Sequence, residues 1–433
     1  MKTVIMAGGK GTRISSVNDK VPKPLIPVCG VPVLERELIE LSSQGFDDVI
    51  ITVSHMAEQI IEYFGDGKKL GMHIDYFVES VPLGNAGALF RLGLNDDFLL
   101  LNADTMFNVD FNRFTQFHMD HDALATLFTH PNSHPYDSVL VETDEDDRIT
   151  GWMTKDDSRP EFCRNLVNAG LHVISPDALT YAGIDPDLIG RDINGTVFKV
   201  DLDRQILRPL CSTGRVFSYQ SPEYVRDMGT PERYEAVCCD IESGMVASRN
   251  LSNPQQAVFM DRDGTVNRYV GFLRDPSQMQ LLPGVSEAIR KLNDSVYLSV
   301  IVTNQPVISR GEVTYDQLRE IHDAMETLLG MDGAYIDRLY FCPHHPDSGF
   351  EGEIKALKID CECRKPKPGM LIRASKELNI DLSRSWMIGD SENDIKAGKA
   401  AGCRTALIGD GNYGQDMSVS SLLEFTTRLL SGV

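Results

Sequence analysis

The chain has 433 residues, 42% of them hydrophobic and 24% charged, which is the ordinary range for soluble globular protein and long enough for two or three separate cores. Lys and Arg total 42 against 63 Asp and Glu, a formal charge of −21 that disfavours nucleic acid as a partner. No apolar run approaches the roughly 20 residues of a membrane span, and Met1-Lys2-Thr3 leads straight into an apolar run without an export pattern. The expectation is a cytoplasmic chain with no membrane partner. A homo-oligomer is left open.

In the first half, strand-like and amphipathic helical stretches alternate over residues 4–6, 33–43, 49–53, 57–64, 73–78 and 98–101, which predicts βαβ units and a mixed, mostly parallel sheet of Rossmann-like α/β type. The pattern lapses after about residue 240 into a polar stretch that includes Ser248, Asn250, Asn253 and Pro254. A second alternating series follows, with strands over 257–260, 298–303, 338–342, 385–388 and 405–408. The expected division is a first α/β domain over 1–245, a linker over 246–256 and a second over 257–433.

The first strand ends in Ala7-Gly8-Gly9-Lys10-Gly11-Thr12-Arg13, with Pro22-Lys23-Pro24-Leu25-Ile26-Pro27-Val28 shortly after. Three glycines in four residues let backbone N–H groups approach a triphosphate, and Arg13 and Lys23 can neutralise it. Such a loop is neither a Walker A motif nor a dinucleotide fingerprint, and by itself it also serves as a tight turn. The pair G-G-x-G-T-R and K-P-L-I-P-V resembles the signature of sugar-phosphate nucleotidyltransferases. Glu79 with Pro82-Leu83-Gly84-Asn85-Ala86-Gly87, then Leu100-Leu101-Asn102-Ala103-Asp104, Asn168-Ala169-Gly170-Leu171 and Asp227-Met228-Gly229-Thr230 follow in that family's order.

The resemblance implies that Ala7, Gly8, Gly9, Gly11, Thr12, Glu79, Gly84 and Asn102 contact the nucleotide. Arg13 and Lys23 would act on the phosphates, Asp104 and Asp227 would hold Mg²⁺, and Lys155, Asn168 and Gly170 would contact the sugar phosphate. Independently of family, attack of a sugar phosphate on an α-phosphorus places charge on oxygens that a metal and cations must stabilise. The bland alternatives are a helix cap for Asp104 and a solvated surface lysine for Lys155. The loop here reads L-G-N-A-G where many relatives read L-G-T-A-G.

In the second half the strand over 257–260 ends in Asp261-Arg262-Asp263-Gly264-Thr265. Two carboxylates two residues apart at a strand end suit a nucleophile toward phosphorus and an acid and base for the leaving oxygen. With Thr303-Asn304, Lys367 and Gly389-Asp390, this D-x-D-G-T run resembles the motif set of haloacid-dehalogenase-type (HAD-type) phosphatases. The resemblance implies Asp261 as nucleophile, Asp263 as acid and base, and Thr303, Asn304 and Lys367 on the phosphoryl oxygens. Mg²⁺ would lie on Asp261, Asp390 and the carbonyl of Asp263.

Nine cysteines form no disulfide framework, and Cys342, Cys361 and Cys363 with His344 have the spacing of a closed, structural Zn²⁺ site, with His345 as the less favoured alternative to His344. That zinc loop, followed by Cys363-Arg364-Lys365-Pro366-Lys367-Pro368-Gly369, resembles the D-glycero-D-manno-heptose 1,7-bisphosphate 7-phosphatases and the histidinol-phosphate phosphatases. There Arg364 and Lys365 would bind the distal part of the substrate. The run Thr303-Asn304-Gln305-Pro306-Val307-Ile308-Ser309-Arg310-Gly311 departs from the usual T-N-Q-S-G-I-A-R-G.

Together the resemblances imply a bifunctional enzyme that removes the 7-phosphate of a heptose bisphosphate and activates the heptose 1-phosphate with an NTP, GTP favoured, as a surface-glycan precursor. Another sugar or alditol phosphate, CTP as donor, or a non-catalytic nucleotide-sugar-binding first half are the alternatives.

Overall fold

A computed structural model describes residues 1–9, 20–193, 195–349 and 351–432. The chain divides into two compact units. The first comprises Met1–Thr129, Val141–Trp152 and Asn168–Asn250, and the second His130–Leu140, Met153–Val167 and Leu251–Val433. No described helix is long and apolar enough to cross a membrane.

The first unit is organised by a nine-stranded mixed sheet. Its central strands are β1 (Lys2–Ala7), β2 (Asp48–Val53), β3 (His73–Val78) and β4 (Phe98–Asn102), with β5 (Ala125–His130), β6 (Leu140–Thr143), β7 (Ile149–Met153), β8 (Val167–Ile174) and β9 (Val216–Gln220) completing it. The main order is β7-β6-β8-β4-β1-β2-β3, with β5 joining β8 to β9. The β1–β2, β1–β4 and β2–β3 pairs are parallel, and β8 runs antiparallel to β4.

Val4, Ile5, Val49, Ile51, Leu99 and Leu101 are fully buried, as expected of central strands covered on both faces. Helix α1 (Val33–Ser43) buries Leu34, Leu38 and Leu41 along one stripe, and Glu37 lies on that same stripe. Helix α2 (Ala57–Phe64) supplies the crossover from β2 to β3.

The second unit carries a six-stranded parallel sheet formed by β10 (Gln256–Met260), β11 (Tyr297–Asn304), β12 (Arg338–Cys342), β13 (Trp386–Gly389), β14 (Arg404–Ile408) and β15 (Met417–Val419). Its order, β12-β11-β10-β13-β14-β15, makes β10 central, so the residues just after it lie where neighbouring strand ends converge. Helices α3 (Val285–Asn293), α4 (Tyr315–Met331) and α5 (Glu392–Ala401) cover the sheet. Thr314 and Gln317 form a capping box at the start of α4. The segment Met153–Val167 is anchored within this unit, where the Cys163 N–H donates to Thr327 Oγ1 at 2.9 Å and the Asn165 N–H to Glu326 Oε2 at 2.8 Å.

Candidate active sites

In the first unit, the carboxyl ends of β1 and β4 border a cleft of about 680 Å³ walled by Ala7, Gly8, Gly9, Lys23, Glu79, Gly84, Asn102 and Asp104. Gly11, Thr12 and Arg13 lie outside the described residues. Lys23 opens a short 3₁₀ turn, Lys23–Leu25, and its ammonium is ion-paired with the Asp104 carboxylate.

Asp104 meets Asp227 through a small antiparallel ribbon. Thr105–Asn108 pairs with Tyr224–Asp227 so that Asp227 stands opposite Thr105, and the Met228 N–H donates to the Asp104 carbonyl at 3.0 Å. The backbone thus brings two aspartates distant in sequence together, Asp104 on the cleft wall and Asp227 two residues before Gly229 of that wall. Burial pushes the Asp227 carboxyl up, but Arg233, whose Nη1 donates to both its oxygens at 2.9 and 2.7 Å, outweighs burial and holds it below the usual range.

Gly84 has φ +90°, and a Cβ there would come within 2.2 Å of the Val200 carbonyl oxygen. Residues 83–86 are laced to that strand-like segment by Val200 N–H to Leu83 O at 2.9 Å and Ala86 N–H to Val200 O at 3.2 Å. This brings Lys199 onto the cleft wall as a further cation that the motif reading leaves out. Glu79 accepts from the Leu83 N–H, and burial pushes its carboxyl up. Glu37, fully buried beneath the ion pair, is also raised, first by burial and then by the Asp104 charge.

On β8, Asn168 Oδ1 accepts from the Gly170 N–H and from His172 Nε2, both at 3.1 Å, and Asn102 Nδ2 donates to the Gly170 carbonyl at 3.4 Å. Lys155 is exposed on the turn after β7, within the segment Met153–Val167 that belongs to the second unit.

The second site gathers at the end of β10. Asp261 is partly buried and its carboxyl is pushed up to about 7, first by desolvation and then by Asp394 and Asp263, against the opposing pull of Lys365. Gly264, φ +84°, passes so close to Asp390 that a Cβ would lie 2.0 Å from Oδ2. Only glycine lets the turn hold Asp390 against the D-x-D segment. Asp263 accepts from Arg262 Nη2 at 3.0 and 2.8 Å, Asn267 Nδ2 at 3.0 Å and Gln305 Nε2 at 2.9 Å. Gln305 also donates to Thr303 Oγ1 at 2.9 Å, which seats the buried threonine beside this network.

The two lysines of Arg364-Lys365-Pro366-Lys367 lie in different surroundings from those expected of them. Lys365, only 2% exposed in its side chain, reaches Asp261 at 2.9 Å and Asp394 at 2.6 Å. Lys367 instead lies at the surface, 2.9 Å from Asp360 and 3.2 Å from Glu362. Of the two, Lys365 and not Lys367 stands beside the Asp261 carboxylate. Asn304 fixes it by the backbone, with Oδ1 taking the Lys365 N–H and Nδ2 donating to the Lys365 carbonyl, both at 3.0 Å.

Asp394 is a site residue that the motif reading leaves out. One of its oxygens takes the Ser391 N–H and hydroxyl, the other faces Lys365. Asp261, Asp390 and Asp394 place carboxylate oxygens within 4.8 Å of one another. Both Asp394 oxygens are engaged, by Ser391 and by Lys365, whereas Lys365 and the Arg262 N–H meet Asp261 through Oδ1 alone, so Asp261 Oδ2 and Asp390 are the groups suited to hold a divalent cation. Arg364 donates to the His344 carbonyl at 3.2 Å, so it borders the cysteine cluster.

In that cluster Cys342, Cys361 and Cys363 lie 3.2–3.5 Å apart sulfur to sulfur, with His344 Nδ1 at 3.3 Å from Cys363. These separations exceed a disulfide of about 2.05 Å. They approach the edge of about 3.8 Å set by a tetrahedron with bonds of about 2.3 Å. Hydrogen bonds from Cys342, then Cys361 and His344, hold the Cys363 thiol down at about 5, against burial, favouring the thiolate a metal binds. His345 instead accepts from the Asp347 N–H at 3.1 Å and stays outside the cluster.

Residues 2–243 match the nucleotidyl transferase family and residues 362–422 the HAD-hydrolase-like family. A D-glycero-β-D-manno-heptose-1,7-bisphosphate 7-phosphatase of Yersinia pestis is 42% identical over 152 residues, which is 35% of this chain and 79% of that protein. The enzyme of the same description from Haemophilus ducreyi is 37% identical over 179 residues, 39% of this chain and 96% of its own length. A crystal structure of HddC from Yersinia pseudotuberculosis, 23% identical, covers 55% of this chain and 99% of its own, with a TM-score of 0.44.

Proposed function

The chain belongs to the nucleotidyl transferase family over its first half and to the D-glycero-β-D-manno-heptose-1,7-bisphosphate 7-phosphatases over its second, and on that premise we propose a bifunctional enzyme of nucleotide-heptose synthesis. It removes the 7-phosphate of D-glycero-D-manno-heptose 1,7-bisphosphate and transfers a nucleotidyl group, GMP favoured, to the heptose 1-phosphate. The observation that carries the phosphatase reading is the partly buried Asp261 carboxylate with Lys365 at 2.9 Å, Asp263 two residues on, and Asp390 against the Gly264 turn. Asp261 attacks the phosphorus, the bond from phosphorus to the C7 oxygen breaks, and Asp263 delivers the proton that oxygen needs. Water activated by Asp263 then releases phosphate from the aspartyl phosphate. Lys365 faces the charge developing on the phosphoryl oxygens. Mg²⁺ on Asp261, Asp390 and the Asp263 carbonyl would supply further neutralisation of that charge.

In the first unit Lys23 orients the phosphates, while Asp104 and Asp227 are the residues that would hold Mg²⁺. GTP is favoured because the product of the first reaction is the acceptor for guanylylation in heptose pathways that this arrangement resembles. The enzyme works in the cytoplasm, where both phosphorylated substrates arise, and supplies a precursor for surface glycan.

The reading is tested by supplying the α and β anomers of D-glycero-D-manno-heptose 1-phosphate with Mg²⁺ and each NTP, following pyrophosphate. GTP with one anomer should dominate, and Asp104→Asn should slow it by about a hundredfold or more, as loss of one charge-stabilising group does. Pyrophosphate from CTP alone would replace the donor. No pyrophosphate from any pair would contradict the transferase assignment.

The Cys342, His344, Cys361 and Cys363 cluster is assigned to structural Zn²⁺, since four ligands leave no position for water. One zinc per chain is expected by elemental analysis. Its removal by chelation should lower the melting temperature of the phosphatase transition by several degrees, and an unchanged midpoint would contradict a structural role.

A further inference from the structure

Strand β8 alternates in the usual way at Leu171 and Val173, both fully buried, but at position 172 it turns a histidine inward, only 2% exposed. The hydrogen bonds of this histidine decide what it does. Asn168 Oδ1 accepts from the Gly170 backbone N–H at 3.1 Å, and a backbone N–H can only donate, so the atom it meets is the amide oxygen. His172 Nε2 lies 3.1 Å from that same oxygen and must therefore donate to it. The ring is thus the Nε2–H tautomer, and its bare Nδ1 is buried without a hydrogen-bond partner among the described residues. Leaving a buried acceptor unsatisfied is unfavourable, and an apolar side chain would fill the position without that burden. Packing alone does not account for an imidazole here.

We propose that His172 is a positioning residue for nucleotidyl transfer: its Nε2–H and the Gly170 N–H together turn the Asn168 carbonyl inward, so that the Asn168 Nδ2 donors face the sugar phosphate. The inference rests on the reading of Asn168 as a sugar-phosphate contact. Among the described residues Asn168 Nδ2 has no partner within the chain. The link to the cleft runs through Gly170, whose carbonyl accepts from Asn102 on the cleft wall, and through the pairing of His172 with Leu100 on β4. Complete burial pushes the His172 ring down to about 3, so it stays a neutral donor throughout the neutral range.

The test uses the full chain, with D-glycero-D-manno-heptose 1-phosphate, GTP and Mg²⁺, and compares His172→Met, His172→Leu, His172→Gln and Asn168→Ala. Both apolar variants should raise KM for the sugar phosphate about fivefold, the equivalent of one hydrogen bond. KM for GTP and phosphate release by the second unit should not change. Gln, which sets an N–H near the Nε2 position, should restore KM to within about twofold. Adding His172→Met to Asn168→Ala should produce no further rise.

An unchanged sugar-phosphate KM in both apolar variants, with a raised KM in Asn168→Ala, would overturn the positioning role while sparing the reading of Asn168. An unchanged KM in Asn168→Ala would overturn that reading and this inference with it. A parallel rise in both KM values, or failure of either apolar variant to fold, would assign His172 to structure and overturn the proposal.

Discussion

Replacing Asp261 by Asn is expected to cut phosphate release from the heptose bisphosphate by at least about a thousandfold, the scale on which loss of a covalent nucleophile acts. Asn keeps the shape and removes the attacking carboxylate. The Lys365 ammonium keeps Asp394 at 2.6 Å as its counter-charge, so the substitution does not strand a buried cation. Burial already pushes Asp261 up to about 7, which means that its charged form is disfavoured in the fold relative to the unfolded chain. A neutral side chain therefore melts no lower at neutral pH. Nucleotidyl transfer to heptose 1-phosphate should stay within about twofold of wild type, because the two sites lie in separate compact units and share no residue. Phosphate release and pyrophosphate release, measured on the same preparation with their own substrates, check both halves. A variant that retains a tenth of its phosphatase activity would remove Asp261 from the role of nucleophile.

The second large effect separates two neighbouring lysines. Lys365→Met should lower kcat/KM for phosphate release at least about a hundredfold and destabilise the second unit, whereas Lys367→Met should change either by no more than about twofold. Burial disfavours the Lys365 charge, but Asp261 and Asp394 outweigh burial and hold its pKa above the ordinary value. Removing that ammonium leaves the buried Asp394 carboxylate facing the partly buried Asp261, at a cost of about 3–5 kcal/mol that protonation of one of them would partly offset. Lys367 pairs at the surface with Asp360 and Glu362, where solvent screening leaves an ion pair with little effect on stability. Steady-state kinetics and thermal melting of the two variants decide the matter. Loss of activity in Lys367→Met with retention in Lys365→Met would reverse the assignment.

That lysine pair shows where sequence legibility ends. The strand runs, the crossover helices and the order of the motifs were readable because apolar periodicity and glycine spacing are local properties, and the ranges 33–43, 57–64, 73–78 and 338–342 coincide with α1, α2, β3 and β12. Which of two lysines two residues apart turns inward is not local. It is set by Asn304, at the end of β11 and far off in sequence, clamping both backbone groups of Lys365. Asp394 is hidden for a similar reason: three residues after Ser391 it reads as a helix-capping partner, and only the fold brings Lys365 to its second oxygen. Glu37 did leave a signal, since it interrupts the apolar stripe of Leu34, Leu38 and Leu41 where a solvent-facing residue has no place. Lys199 left none, because its position on the cleft wall follows from the pairing of Val200 with Leu83 and Ala86. The association of Met153–Val167 with the second unit likewise depends on contacts to α4 that no linear pattern announces.

The central claim is that one chain carries out two successive reactions on a heptose phosphate. The measurement that tests it most directly is incubation of the full chain with D-glycero-D-manno-heptose 1,7-bisphosphate, GTP and Mg²⁺, following phosphate, pyrophosphate and sugar products by mass. The account predicts phosphate release, then equimolar pyrophosphate and GDP-heptose, with Asp261→Asn blocked on the bisphosphate yet active when heptose 1-phosphate is supplied. Phosphate release with no nucleotide sugar from any NTP, or no phosphate release from either anomer of the bisphosphate, would contradict it.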